Sequence, residues 1–514
     1  MILPAALLPT IPQSVDYVRI LPELVLSAFG ILIMVLDPLV DEEKSQKLLG
    51  FIGLGGTVAG LLASWYMAQS PGLAFSSMVK VDDFSVFFHF LVIGIAGVVI
   101  LSSFEYMAVQ RIRAGEYYAL ILLGTVGMAL MSSAVELVLI FIALEISSIS
   151  TYILTGFRRN EASSSESSLK YFLLGSFATA FFLYGVALMF GATGFTNIDQ
   201  ISQNLQTSPV PLLVFVAMAL MFVGLGFKVA AAPFHIWTPD VYEGAPSPIV
   251  GFMSTAPKAA AFAVLLRVVF TINAPGRFGL LWMAAALSMT LGNVGALVQT
   301  NVKRLLAYSS IAHAGYLLMA FAMTDSANST AGISAAMFYT AAYAATNVGA
   351  FAVISHFGNA GERYVSLEDY EGLGRTSPLL AATLTIFLLS LIGIPMTGGF
   401  FAKFYVFSAA VKAHLIWLIL IGVVNSAVGA YYYLRIIVMM YMRESRKQVP
   451  VTSIPFGLGA ALALSLAATL YLGMLPNRVL QYAQKSAQEL LPRPLPPVVP
   501  NSAHIRLPAA IPER

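Results

Sequence analysis

The 514-residue sequence contains no cysteine. It therefore cannot supply thiolates to an iron–sulfur cluster, form a disulfide or attach a c-type haem, and any redox chemistry must take place in a partner. Charged residues make up only 10% of the chain and hydrophobic residues 58%. In a typical soluble domain about 25% of the residues are charged and roughly 45–50% are apolar. The net charge of +3 is small and scattered, so no face for nucleic acid is indicated. The composition predicts a protein that lies in lipid.

Apolar runs long enough to cross a membrane recur along almost the whole chain. Each crossing needs about 20 apolar residues, and backbone groups in lipid must be hydrogen-bonded within the segment, which requires helices. The sequence therefore predicts an all-α, polytopic membrane protein with about 14 transmembrane helices. The predicted spans lie near 15–37, 46–68, 83–107, 115–132, 134–157, 166–191, 211–236, 248–273, 279–299, 303–324, 331–358, 379–412, 414–443 and 452–473.

Basic residues are distributed unevenly between the predicted loops. Odd-numbered loops carry most of them, including Lys303 and Arg304, whereas even-numbered loops offer little more than Lys80, Arg277 and Lys412. Because loops rich in Lys and Arg stay on the inner side of a membrane, this alternation predicts that both termini lie on the outer side.

Two predicted spans are interrupted in the same way. Pro233 and the polar stretch 235–240 follow Lys228, and the stretch 393–399, rich in Gly and Pro, precedes Lys403. Paired interruptions are typical of transporters built from repeats. We predict two inverted five-helix repeats, with broken helices 7 and 12. The predicted division of the chain is 1–114 (three N-terminal helices), 115–273 (first repeat), 279–443 (second repeat), 452–473 (last helix) and 474–514 (a Pro-rich, extended or disordered tail).

Five ionisable residues are predicted to lie inside the membrane, namely Glu145, Lys228, Lys258, His313 and Lys403. A charged side chain at the bilayer centre costs at least about 2.5–3.5 kcal/mol, so each of them needs a reason. Burial disfavours the charged form of a lysine and a nearby carboxylate restores it, so Glu145 and Lys228 together could act as a proton switch. Imidazole is suited to passing protons between lysines, which is the role predicted for His313.

Other ionisable residues have simpler interpretations. Lys170 either snorkels to the membrane surface or joins the path, and Arg267 is predicted to snorkel. Glu136 is predicted to lie at the interface, and His89 to be a packing residue. No metal site and no cofactor bound by this chain are predicted.

Several segments resemble a known family. The stretch Lys228-Val-Ala-Ala-Ala-Pro-Phe-His-Ile-Trp-Thr-Pro-Asp-Val-Tyr-Glu-Gly-Ala-Pro-Ser-Pro248 resembles the signature of the antiporter-like subunits of respiratory complex I and its photosynthetic relatives, which are similar to subunits of multi-subunit sodium/proton antiporters. The stretch Leu169-Lys-Tyr-Phe-Leu-Leu-Gly-Ser-Phe177, together with Lys403, resembles the smallest such subunit, called subunit N or subunit 2. The opening at 22–26 and the first loop at 37–47 look most like the cyanobacterial and chloroplast form.

The resemblance implies a function and a set of partners. It implies a proton-translocating subunit of an NAD(P)H-quinone oxidoreductase in a thylakoid membrane, with both termini on the lumenal side. It also implies a proton path, with Lys170 as a further candidate, through Glu145, Lys228, Lys258, His313 and Lys403. Iron–sulfur clusters and plastoquinone would belong to other subunits, so the quinone would act on this chain only indirectly. The implied partners are other membrane-arm subunits and lipids, with no nucleic acid.

Two other functions remain open from the residues. A sodium/proton antiporter subunit would share the broken helices, although the sequence offers no clean carboxylate and carbonyl cage for sodium. A structural spacer between neighbouring subunits is disfavoured, because a spacer has no need for intramembrane lysines.

Overall fold

The computed structural model describes residues 12–491, except 41, 111, 113–114, 208–211, 273–276, 324–325 and 446–452. Within these residues the first third of the chain forms helices α1 (Ser14–Arg19), α2 (Leu21–Leu36), α3 (Glu42–Met67), α4 (Asp83–Gln110), α5 (Gly115–Ser133), α6 (Leu137–Thr155) and α7 (Ala162–Thr193), with strands β1 (Gly72–Ala74) and β2 (Val79–Val81) between α3 and α4. The middle third forms α8 (Ile198–Thr207), α9 (Leu212–Val229), α10 (Trp237–Gly244), α11 (Ser247–Met253), α12 (Ala256–Ile272), α13 (Arg277–Leu297) and α14 (Val302–Met319). The last third forms α15 (Ser326–Gly358), α16 (Leu373–Thr376), α17 (Pro378–Ile392), α18 (Gly398–Lys412), α19 (Ile416–Met442), α20 (Phe456–Met474) and α21 (Pro476–Gln488).

The molecule is nearly all-helical, and its helices are suited to a bilayer. Thirteen helical segments in the described part of the chain are long and apolar enough to cross a membrane, and Pro378–Ile392 is a shorter apolar helix. The predicted class, a polytopic α-helical membrane protein, is confirmed. The total of about 14 crossings depends on counting α17 and α18 as one interrupted span, and it stays a prediction together with the division into repeats.

Both predicted helix breaks are present, and there is a third. The first separates α9 from α10 and contains Ala230 in a left-handed conformation, with φ of 59°. The second separates α17 from α18 at Gly393, whose φ is 94°. The third break, at Ser254 and Thr255 between α11 and α12, was not predicted, because it has neither Pro nor Gly. Broken helices require a protein or water environment, so these three places identify the interior of the bundle.

One end of the bundle is built around the β1–β2 hairpin, and we call it the hairpin face. Val79 in β2 forms an antiparallel bridge with Ala134, before α6. Glu136, predicted to be interfacial, accepts a hydrogen bond from the Leu139 amide as the N-cap of α6 and forms a bridge with Asn197. The hairpin therefore ties together three of the loops predicted to be even-numbered.

The opposite face collects loops that the sequence numbered as odd. Asn301, before α14, forms an antiparallel bridge with Ser366, before α16. Arg159 and Glu116 form an exposed ion pair of 2.8 Å between the loop after α6 and the start of α5. Some basic residues used to predict the orientation, such as Arg111, lie outside the described residues.

The predicted Pro-rich tail begins too early. Residues Pro476–Gln488 form α21, which packs on α4 and α15 at the hairpin face, where Lys485 Nζ lies 2.6 Å from Asp83 Oδ2. Pro476 is the first residue of this helix, where the missing amide hydrogen has no intrahelical partner to lose. The prolines from Pro492 to Pro512 lie outside the described residues.

Helices α11, α12, α14 and α15 form the interior of the molecule. They are almost completely buried, whereas α2 and α19 expose large apolar side chains such as Ile31 and Trp417 along the outside. Lys258 and His313 lie on the interior helices. Neither side chain can reach bulk solvent by snorkelling.

Close packing between α7 and α9 generates a testable prediction. A Cβ atom at Gly185 would lie 2.7 Å from the Ala217 carbonyl oxygen and 2.8 Å from the Met221 amide nitrogen. Backbone atoms cannot move away cheaply, so we expect Gly185→Ala to destabilise the protein by about 1–3 kcal/mol, measured as a lower melting temperature. Gly191→Ala, on the same helix with nothing within 4 Å of the added atom, is the control and should melt like the unsubstituted protein. Equal melting of the two variants would contradict this packing.

Candidate functional site

Lys228 lies in the last turn of α9, directly before the first helix break. Its side chain is buried, and Nζ lies 5.0 Å from the ring centroid of Tyr152 and 5.3 Å from that of Tyr171. Nζ has no hydrogen-bond partner among the described residues. Trp237 Nε1 donates to the Phe227 carbonyl across the break and fixes the backbone beside the lysine. The aromatic faces favour a cation electrostatically without binding it through a hydrogen bond.

Glu145 belongs to the same environment. It lies on α6 seven residues before Tyr152, which places both side chains on one face because seven residues make almost two helical turns. Its Oε1 is buried and has no hydrogen-bond partner in the described part of the chain. The carboxylate acts electrostatically on Lys228. The structure thus brings the two residues of the predicted pair together beside Tyr152.

Lys258 lies near the start of α12, just after the unpredicted break. Its Nζ donates a hydrogen bond of 2.6 Å to Ser310 Oγ on α14, and lies 5.9 Å from the ring centroid of Tyr242. The Tyr343 hydroxyl donates to the same Ser310 oxygen at 2.8 Å. One serine hydroxyl therefore connects Lys258 with a tyrosine on α15.

His313 lies one turn further along α14 and is fully enclosed by hydroxyl groups and rings. Its Nδ1 is 2.6 Å from the Tyr339 hydroxyl, its Nε2 is 3.2 Å from the Tyr433 hydroxyl, and its ring centroid is 5.1 Å from that of Tyr343. The Tyr433 hydroxyl also hydrogen-bonds Ser309. Both ring nitrogens thus face groups that can donate or accept a proton.

Lys403 occupies the second broken span. Its Nζ donates to the Ile392 carbonyl at 2.8 Å and to Ser426 Oγ at 2.9 Å, and lies 5.0 Å from the ring centroid of Tyr316. The Ile392 carbonyl is free for this contact because α17 ends at Gly393. The lysine also lines a recess of about 550 Å³ that opens at the side of the bundle.

An aromatic stack fills the space between the first two lysines. Tyr171 stacks on Trp237 with ring centroids 4.4 Å apart, and Trp237 contacts Tyr242 at 6.2 Å. Since Tyr171 faces Lys228 and Tyr242 faces Lys258, the stack joins the two sites. On the other side of Lys258, the contacts run through hydroxyl groups and His313 towards Lys403.

Lys170 differs from these residues because it lies at the surface, on the face opposite the hairpin. Its Nζ is 2.8 Å from Asp240 Oδ2 and 2.7 Å from Glu166 Oε1, and 41% of its side chain is exposed. Arg304 contacts Asp240 and Glu243 at 2.7 and 2.8 Å. Burial raises the pKa of Asp240, but Lys170 and Arg304 outweigh this effect and hold it below its usual value. The network joins α7, α10 and α14, and its role in proton transfer stays a prediction.

Two buried pairs were not predicted. Arg267, expected to snorkel, is buried, and its guanidinium donates two hydrogen bonds to the Asp82 carboxylate at 2.8 and 3.0 Å, so that prediction was wrong. His89, expected to be a packing residue, has Nε2 2.9 Å from Glu23 Oε1 and Nδ1 2.7 Å from the Ser85 carbonyl. The two carboxylates, Asp82 and Glu23, lie outside the helices of Arg267 and His89. Spacing along the sequence therefore carries no signal for either pair.

Comparisons with known proteins agree on one family. Residues 134–429 match the family model described as NADH:quinone oxidoreductase/Mrp antiporter, TM. The chain is 65% identical over 486 residues to NADH-quinone oxidoreductase subunit N 2 of Koribacter versatilis, covering 93% of this chain and 98% of that protein. It is 44% identical over 483 residues to NADH-quinone oxidoreductase subunit N of Trichlorobacter lovleyi, with coverage of 93% and 98%.

Solved structures have the same fold. A chain of respiratory complex I from Thermus thermophilus with bound aureothin aligns with a TM-score of 0.76 at 35% identity, over 90% of this chain and 98% of that one. A chain of the Mrp complex from Dietzia sp. DQ12-45-1b aligns with a TM-score of 0.79 at 22% identity, over 92% and 97%, which is a likeness of fold alone.

The buried Asp82–Arg267 pair generates the second prediction. We expect Asp82→Asn to destabilise the protein by about 3–5 kcal/mol, because it leaves the Arg267 guanidinium buried without a counter-charge, and the melting temperature reports this loss. Burial raises the pKa of Asp82, but Arg267, Lys80 and the Ser85 amide together outweigh burial and hold this pKa below its usual value. The stabilisation is therefore complete at neutral pH and is lost as the pH falls through the lowered pKa.

The control for this prediction is Glu444→Gln. Glu444 and Arg375 form an ion pair of 3.8 Å whose side chains are 89% and 75% exposed. An ion pair this exposed contributes little to the stability of the folded protein, so the control should have the melting temperature of the unsubstituted protein. A normal melting temperature for Asp82→Asn at neutral pH would show that the buried pair does not stabilise the fold.

Proposed function

Because the chain belongs to the NADH:quinone oxidoreductase/Mrp antiporter membrane family, as a proton-translocating subunit of the N type, we propose that protons cross it along the buried row of Glu145, Lys228, Lys258, His313 and Lys403. The chain is a subunit of an enzyme complex, an NADH-quinone oxidoreductase, and it contributes no redox centre of its own to that reaction. Its work in the complex is the movement of protons.

The observation that carries this proposal is a series of side-chain contacts that links the lysines of both broken spans. Lys228 is joined to Lys258 by stacked rings, and Lys258 is joined through Ser310 and Tyr343 to His313. His313 packs against Tyr316, with ring centroids 5.9 Å apart, and Tyr316 lies under Lys403. Proton transfer needs donors and acceptors within hydrogen-bond reach or one water apart. The ring contacts between Lys228 and Lys258, and those between His313 and Lys403, are not hydrogen bonds, so proton transfer along them requires water that lies beside the rings.

The chemistry of the row depends on how each lysine holds its proton. A nearby carboxylate stabilises the ammonium form, and burial without such a neighbour favours the neutral amine. When Glu145 moves away from Lys228, the lysine gives its proton to the next group, and His313 relays it towards Lys403. Lys170, paired with Asp240 at the surface, belongs to the mouth of the same path.

Electron transfer belongs to other chains in this proposal. Without a cysteine, the chain cannot hold an iron–sulfur cluster, so we assign the clusters and the quinone to other subunits. Its partners are further membrane-arm subunits of a complex I-type assembly, and quinone reduction acts on it indirectly.

The setting that we propose is a bacterial membrane. The relatives reported above are bacterial NADH-quinone oxidoreductase subunits, whereas the thylakoid and plastoquinone assignments rest only on the resemblance of the opening at 22–26 and the first loop. We keep the proposal that both termini face the outer side, which puts the hairpin face outside. It rests on the uneven distribution of basic residues between loops.

Replacing Lys228 tests the proton path. In the assembled complex, we expect Lys228→Met to slow proton transfer through this subunit by about 100-fold or more, because a proton donor and acceptor is lost. The measurement is proton uptake by membrane vesicles during NADH oxidation, with the amount of assembled complex determined in parallel. Lys412→Met, an exposed lysine at the end of α18, is the control and should pump normally. Undiminished uptake in an assembled Lys228→Met complex would contradict the path and leave the spacer function or a path formed by neighbouring subunits.

Sodium exchange is the alternative function within the same family, and it can be separated in the same assay. Because the row has three lysines, an imidazole and only one carboxylate, it offers no cage of oxygen ligands for sodium. We therefore expect proton uptake to be unchanged when potassium replaces sodium in the medium. A strict requirement for sodium would favour an antiporter subunit instead.

A further inference from the structure

Glu362 forms a buried cluster on the face opposite the hairpin. Lys303 Nζ donates to its Oε2 at 2.6 Å, and Arg158 lies 3.8 Å from the same oxygen. The Tyr106 hydroxyl and the Ser247 amide donate to Oε1 at 2.9 and 2.6 Å. Only 6% of Glu362 is exposed. We call these five residues the Glu362 cluster.

The cluster grips one short connection in the chain, residues 244–247, which joins α10 to α11. Arg158 donates to the Gly244 carbonyl at 3.2 Å, and Lys303 donates to the Ala245 carbonyl at 2.6 Å. Glu362 accepts from the Ser247 amide, at the first residue of α11. Three backbone groups of this connection are therefore bound by a guanidinium, an ammonium and a carboxylate.

This connection lies between two parts of the proposed path. Asp240, which pairs with Lys170, precedes it on α10, and Lys258 follows it on α12. The groups that grip the connection come from both predicted repeats, since Arg158 lies in the first and Lys303 and Glu362 lie in the second. Tyr106 adds the N-terminal helices. The cluster thus joins the N-terminal helices to both predicted repeats.

The backbone around Glu362 is strained. Asn359, Gly361 and Glu362 all have positive φ, of 57°, 73° and 50°. Such a conformation costs about 1–3 kcal/mol for a residue other than glycine, and it persists only where the surroundings impose it. Gln110 provides part of that constraint, because its side-chain amide donates to the Asn359 carbonyl and accepts from the Gly361 amide. The strained loop presents the carboxylate to the connection.

The charge of the cluster is held in place by its own members. Burial raises the pKa of Glu362, but Lys303 and Arg158 outweigh burial and hold it below its usual value. The carboxylate is therefore ionised at neutral pH. A buried ion pair is weak as a source of stability, since apolar replacement of both partners is often neutral. Its fixed geometry points to a role in positioning.

We propose that Glu362 is a positioning residue for proton transfer, which fixes the 244–247 connection and thereby the distance between the groups on α10 and Lys258. The proposal rests on the proton path proposed above. A donor and an acceptor that separate by about 1 Å lose about 100-fold in rate, so loosening the connection slows proton transfer without removing any group that carries a proton.

The test uses the assembled complex with Glu362→Gln. The glutamine oxygen still accepts from Ser247 and Tyr106, but the charge facing Lys303 is lost. We expect the rate of proton uptake during NADH oxidation to fall by about 10-fold to 100-fold, together with a lower melting temperature. Glu116→Gln, which removes the carboxylate of the exposed Arg159–Glu116 pair beside Arg158, is the matched control and should pump and melt normally.

A second variant separates the positioning role of Glu362 from the destabilisation caused by leaving Lys303 buried without a counter-charge. In Glu362→Gln with Lys303→Gln the cluster loses one charge of each sign, so we expect the melting temperature to recover while proton uptake stays low. Recovery of both would overturn the proposal, because charge balance alone would then explain the first variant. Glu362→Asp, which keeps the charge, should recover part of the uptake. If the single variant does not assemble, the double and aspartate variants decide the question.

The outcomes also separate this proposal from the proton path. Normal uptake in assembled Glu362→Gln alongside lost uptake in Lys228→Met would overturn the role of Glu362 and leave the path intact. Normal uptake in Lys228→Met would overturn the path. The role proposed for Glu362 would then fall as well, because it depends on that path.

Discussion

The structure depends on one constraint, which is that three lysine side chains lie inside a helical bundle, away from bulk water. Each ammonium there costs at least about 2.5–3.5 kcal/mol, and the fold offsets this cost differently at each site. Lys228 faces the rings of two tyrosines, Lys258 donates to a serine hydroxyl, and Lys403 donates to a backbone carbonyl and a serine. Among the described residues, none of the three ammonium groups forms an ion pair with a carboxylate within 4 Å.

The helix breaks are part of the same solution. A helix that ends inside the bundle leaves carbonyl and amide groups free, and the protein must satisfy them or use them. At the second break the Ile392 carbonyl accepts from Lys403, so a free backbone group serves a buried charge. At the first break the Ala232 amide donates to Ser288 on α13 at 2.8 Å. A backbone amide at the interruption beside Lys228 is therefore satisfied by a neighbouring helix, whereas Lys228 Nζ has no hydrogen-bond partner in the described part of the chain.

Much of this arrangement could be predicted from the sequence. Long apolar runs predicted the helices, and clusters of Pro and Gly predicted two of the breaks. Ionisable residues inside the apolar runs were the five candidates for the row. The partners of these residues could not be predicted, because they are distant in the chain. Ser310 lies 52 residues after Lys258, and Asp82 lies 185 residues before Arg267. Lys303 was counted as a loop charge, and only the folded chain places a carboxylate from another loop beside it.

The buried cations fall into two groups that differ in what holds them. Arg267 and Lys303 each contact a carboxylate directly, at 2.8 and 2.6 Å, so each has a counter-charge at hydrogen-bond distance. Lys258 and Lys403 are bonded to hydroxyl and carbonyl oxygens, and Lys228 Nζ has no hydrogen-bond partner among the described residues. A residue that must gain and lose a proton in each cycle cannot have its charge fixed by a permanent partner. The direct pairs are therefore suited to holding the two faces of the bundle, and the loosely held lysines between them are suited to carrying protons.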